Sequence, residues 1–129
     1  MSWKDGPILK VGVIGAGNWG INIVRALAKL DALGAVAETR VEVRLRLAEE
    51  FPEIPLYSDH EELLAEAKIS AVAVATPAPT HYRIARAALA AGKDVFVEKP
   101  MTMTVAEAEE LVGLAEEEGR ILMVGHLLL

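Results

Sequence analysis

"GAGNWG", residues 15–20, lies between a short apolar run, "LKVGVIG" (9–15), and a helical pattern, "NWGINIVRALAKL" (18–30). Gly15, Gly17 and Gly20 have G-x-G-x-x-G spacing at the junction of a predicted strand and helix. At such a junction the first glycine permits a tight turn, the second lets a pyrophosphate approach the main chain, and the third lets helix and strand pack closely. Asn18 and Trp19 occupy the intervening loop positions. The first N–H groups of the helix, with the positive end of its dipole, would then face an anion. Ile23, Val24, Leu27 and Leu30 form one apolar stripe, which predicts an amphipathic helix.

Working outward, five further apolar runs read as strands: "GAVAE" (34–38), "PLYS" (55–58), "SAVAVAT" (70–76), "DVFVE" (94–98) and "ILMVG" (121–125). Between them, "VRLRLAEEF" places Leu47 and Phe51 four apart on a helix face. "SDHEELLAEA" opens with Ser58 and has Glu61 three residues later, the spacing of a capping box. Thr104 and Glu107 repeat it in a helix that stops at Gly119. Pro79 sits at a first-turn position of a helix ending at Gly92. Strictly alternating strands and helices predict an α/β fold: a doubly wound parallel sheet of six strands, a Rossmann fold, in one domain spanning residues 1–129.

The 129 residues are 53% hydrophobic and 25% charged, with a net charge of −6, which suits one soluble α/β domain. Without a basic run the chain lacks the electrostatic footprint of a nucleic-acid binder. No apolar stretch approaches the roughly 18 residues that span a bilayer, and "MSWKDGP" lacks a signal-peptide core, so a cytoplasmic location is expected. The absence of cysteine excludes disulfides, thiolate metal ligation and a cysteine nucleophile. No metal site is assigned.

The second predicted strand ends at Glu38, at the distance downstream expected of an acid that accepts hydrogen bonds from an adenosine ribose. A carboxylate there repels a 2′-phosphate and favours NAD. Arg40, with Thr39, could instead reach that phosphate, so NADP stays open; otherwise Arg40 is a solvated loop residue. Ligands of doubly wound sheets bind at the carboxyl ends of the strands, where the fourth strand delivers Thr76 and Pro77 and the fifth Glu98, Lys99 and Pro100. By themselves, Glu98 and Lys99 are either a strand surfacing into polar residues or a charged pair at the binding edge. His81 is either a ligand-side group or a capping and packing residue at a helix start. His60 reads as a solvated first-turn residue.

"GAGNWG", "ATPAPTHYRIARAALAAGKDVFVEKPMTMTVAEAEELV" (75–112) and "GRILMVGH" (119–126), in this order, resemble the N-terminal domain of the Gfo/Idh/MocA oxidoreductases. The resemblance implies an NAD(P)-dependent dehydrogenase acting on a secondary alcohol of a sugar, cyclitol or sugar nucleotide. Lys99 would be the catalytic residue beside the nicotinamide and the reacting hydroxyl, with Glu98 an orienting or structural group rather than the base. Thr76, Pro77 and His81 would lie along the dinucleotide, and the Lys99–Pro100 peptide would be cis. Members of that family carry a second domain that supplies the substrate pocket. Its absence here would leave a cofactor domain that binds NAD(H) with little turnover. The alternative is a stand-alone nucleotide-binding or redox-sensing module acting through a partner. The apolar "GHLLL" end, or the outer face of the last strand, is expected to support a homodimer.

Overall fold

The computed structural model describes residues 9–125, so His126 and Leu127–Leu129, on which the expected dimer contact partly falls, lie outside the described residues. The elements alternate in chain order: β1 (Val11–Ile14), α1 (Gly20–Lys29), β2 (Leu33–Ala37), α2 (Val41–Glu50), β3 (Leu56–Tyr57), α3 (His60–Leu64), β4 (Ala71–Val74), α4 (His81–Ala90), β5 (Asp94–Glu98), α5 (Val105–Glu118) and β6 (Leu122–Gly125). A single 3₁₀ turn, Ala78–Thr80, leads into α4. The six strands form one sheet in the order β3-β2-β1-β4-β5-β6, and every pairing is parallel. This is the Rossmann arrangement, with the order reversing between β1 and β4.

Parallel strands buried on both faces need continuous apolar runs. Val13 and Val36 pack on one face with Val24 of α1 and Leu47 of α2. Val72, Val74, Val95 and Val97 pack on the other with Leu63 of α3, Ile84 and Leu89 of α4, and Leu111 of α5. The expected strands therefore form, although "PLYS" contributes only a two-residue edge strand. Pro55 has no N–H to add to a ladder, which shortens it at that end.

Two local expectations are corrected. Asp59, not Ser58, caps α3: its carboxylate accepts from the Glu62 N–H at 2.9 Å, while the Ser58 hydroxyl donates to Glu62 Oε1 at 2.9 Å. A carboxylate at an N-cap gains from the helix dipole as well as from the hydrogen bond, so the cap moves one residue along. Leu30 leaves the apolar stripe of α1. It stands at the C-cap, where the chain is already turning, and is 74% exposed. The Thr104 cap of α5 forms as expected, accepting from the Glu107 N–H at 3.1 Å, and α5 ends at Gly119 with φ +64°. Among the described residues, no helix is long and apolar enough to cross a membrane.

Candidate dinucleotide site

The loops that leave β1 and β4 part at the point where strand order reverses, and the opening between them is a cleft of about 640 Å³, within the range of small-molecule sites. Its first wall is the glycine loop. Gly15 has φ +96°, and a Cβ there would lie 2.8 Å from the Ala75 carbonyl oxygen; a Cβ on Gly20 would lie 1.9 Å from the Gly15 oxygen. Both positions are closed to any other residue by the chain itself. Gly17 differs, because a Cβ there would meet only Arg40 Nη2, at 3.4 Å. The space above it is open to a ligand. Helix α1 has no side-chain cap and no acid in its first turn; the Ile21 and Asn22 N–H groups already donate to the Gly17 and Trp19 carbonyls at 2.9 and 3.0 Å, so the N–H groups offered to an anion are those of Asn18, Trp19 and Gly20.

The second wall is Glu38, just past the end of β2 and 6% exposed. Oε1 accepts from the Ala16 N–H at 2.9 Å and Arg40 Nη2 at 3.1 Å. Oε2 accepts from the Arg40 N–H at 2.8 Å and Arg40 Nε at 3.1 Å. Burial by itself would raise its pKa. The Arg40 guanidinium and the Arg40 and Ala16 N–H groups outweigh burial and hold the carboxyl down at about 2. The carboxylate thus fastens the glycine loop to the β2–α2 turn, and Arg44 Nη1 secures that turn by donating to the Glu38 and Thr39 carbonyls at 2.7 and 3.0 Å. The Arg40 side chain, half exposed, borders both the cleft and a groove of about 580 Å³ between α1 and α2, which also contains Arg25 and Arg46.

The third wall comes from β4 and β5. Thr76, Pro77 and Glu98 line the cleft together with Asn18, Trp19 and Thr39. Thr80 Oγ1 lies 2.6 Å from the Pro77 carbonyl oxygen and 2.7 Å from Thr76 Oγ1, which knits the turn. Lys99 and Pro100 are exposed beyond the end of β5, and the peptide between them is cis. The Lys99 N–H donates to the Gly125 carbonyl at 3.1 Å. His81 is 3% exposed and held between the Pro100 and Thr76 carbonyl oxygens, at 2.9 Å from Nδ1 and 2.7 Å from Nε2. It lies beneath the cleft rather than on its surface.

Most of the expected site residues therefore line one cleft; Gly20, His81, Lys99 and Pro100 do not, Gly20 and His81 lying behind it and the exposed Lys99 and Pro100 following directly on Glu98, which does. Ser58, Asp59, His60, Thr80 and Arg83 also line it and were not expected. His60, read from sequence as merely solvated, faces the cleft because the short β3 brings the start of α3 to the carboxyl edge of the sheet. The clue available was the strand itself: whatever follows β3 arrives at the ligand-binding edge. An open phosphate cradle, an uncapped helix start and a carboxylate at the end of β2 fit a dinucleotide.

The chain belongs to the Gfo/Idh/MocA oxidoreductases: residues 9–126 match that family's domain, described as "Oxidoreductase family, NAD-binding Rossmann fold". It is 33% identical over 124 residues to the UDP-N-acetylglucosamine 3-dehydrogenase of Acidithiobacillus ferrooxidans, with 92% of this chain and 37% of that protein covered. It is 36% identical over 126 residues to the inositol 2-dehydrogenase of Paracoccus denitrificans, covering the same shares. Among solved structures, GenD2 from gentamicin A biosynthesis, in complex with NAD, superimposes with a TM-score of 0.86 at 34% identity, covering 93% of this chain and 35% of that one. The chain thus spans 37% of the length of the two dehydrogenases. The stand-alone sensor alternative draws no support from these relatives.

Proposed function

We propose that this domain binds NAD(H) for a dehydrogenase that oxidises or reduces a secondary alcohol of a sugar, cyclitol or sugar nucleotide, and that Lys99 acts on the reacting oxygen. The observation that carries the proposal is convergence: the glycine loop, Glu38, Thr76, Pro77 and Glu98 line one cleft, and Lys99 is the exposed residue that follows Glu98. The relatives' activities on a sugar nucleotide and an inositol support the substrate class. Bound nicotinamide supplies the hydride chemistry. The chain's own part is to hold phosphates at the start of α1, to receive the adenosine ribose beside the Glu38–Arg40 pair, and to place an ammonium beside the alcohol oxygen, where it stabilises developing negative charge. Cofactor preference falls to NAD, because Glu38 is held ionised. Arg40 is the group through which NADP would be accepted.

The test is Lys99→Ala, assayed for NADH formation from NAD with inositol and with UDP-N-acetylglucosamine, and for NADH affinity by fluorescence. The expected outcome is slow turnover by the unaltered chain, none by the variant, and NADH affinity preserved within about twofold. Turnover surviving in the variant would remove Lys99 from the chemistry.

A further inference from the structure

The nicotinamide end of the proposed site is built from two turns that no longer belong to the sheet. The β4–β5 ladder runs as far as Val74 opposite Val97. Beyond it, the chain from β4 turns through Thr76 and Pro77, and the chain from β5 turns through Lys99 and Pro100. On its far side the second turn is fastened to β6 by the Lys99 N–H to the Gly125 carbonyl. On its near side the fastening is His81, whose ring nitrogens lie 2.7 Å from the Thr76 carbonyl oxygen and 2.9 Å from the Pro100 carbonyl oxygen. Among the described residues, no other side chain hydrogen-bonds to both turns.

Both partners are carbonyl oxygens, which only accept, so the ring works as a donor. At 3% exposure it is shielded from water, and hydrogen bonds in so buried a place are strong and costly to leave unmade. The ring also comes from the first residue of α4, a helix held against the sheet by buried Ile84, Ala85, Ala88 and Leu89. The cross-link is therefore anchored in the core.

We propose, on the functional reading above, that His81 is a positioning residue that sets the spacing of the Thr76–Pro77 and Lys99–Pro100 turns, and hence the fit of the nicotinamide half of the cofactor and the reach of Lys99. The adenosine half owes nothing to it. The glycine loop, Glu38 and Arg40 are held by hydrogen bonds of their own.

That asymmetry provides a test in which a general loss of structure cannot pass for positioning. NADH occupies both halves, whereas adenosine diphosphate occupies only the adenosine and phosphate half. In the full chain, His81→Leu should weaken NADH binding about fivefold to tenfold, the worth of one or two lost hydrogen bonds, and change adenosine diphosphate binding by less than about twofold. His81→Gln, which retains a donor, should fall between the two and also serves if the leucine variant does not fold. Equal weakening of both ligands, or unchanged NADH affinity, would overturn the proposal. Failure of the unaltered chain to bind either ligand would instead reject the functional reading on which it rests.

Discussion

Gly17 and Glu38 stand at the two parts of the proposed adenosine half, the phosphates and the ribose. Gly15 and Gly20 are required by the fold, because the chain itself occupies the space of a side chain there; at Gly17 the chain leaves that space open. Gly17→Val should therefore leave the fold intact and weaken NADH at least about tenfold, or about 1.4 kcal/mol, measured by fluorescence titration beside an unchanged melting curve. Glu38 makes a second prediction. Its carboxyl is held at about 2 in the folded chain, against an ordinary 4.5, so the folded state gains from ionisation. That gain is complete above pH 4.5 and is lost as pH falls toward 2. Glu38→Gln should cost at most roughly 3 kcal/mol at neutral pH, and the difference from the unaltered chain should shrink through that acid window in parallel melts. The three glycines and Glu38 were legible in sequence because spacing specifies them. The Glu38–Arg40 pairing was not, since it depends on how the β2–α2 turn points a flexible side chain.

At the scale of elements, the strands were readable because burial on both faces of a parallel sheet forces unbroken apolar runs, and "DVFVE" became β5 residue for residue. Helix starts were less secure. Thr104 was identified correctly, but "SDHE" offers two adjacent capping side chains, and only the observed backbone chooses Asp59 over Ser58. Thr104→Ala removes the α5 cap and should cost about 1 kcal/mol, lowering the melting temperature by roughly 4 °C with NADH affinity unchanged, because α5 does not line the cleft. Lys93 was missed altogether. It looks like a solvated turn residue, yet it is buried and its Nζ donates to the Glu66 and Ile69 carbonyls at 2.9 and 2.6 Å. Burial lowers its pKa, with Glu66 partly offsetting that. Only the tertiary packing of the α3–β4 connection beside the α4–β5 turn supplies those acceptors.

In the whole molecule, the reversal of strand order between β1 and β4 turns local motifs into one cleft. Residues as distant in sequence as Gly17, Glu38, Thr76 and Glu98 line one cleft because each lies at or just past the carboxyl end of a strand at the same edge of the sheet. The central claim is that this edge binds a nicotinamide dinucleotide. Titrating the full chain into NADH and following nicotinamide fluorescence tests it most directly. One saturable site per chain, competed by NAD and by adenosine diphosphate, is the predicted result. A signal that rises linearly without saturation, or that adenosine diphosphate does not displace, would contradict it.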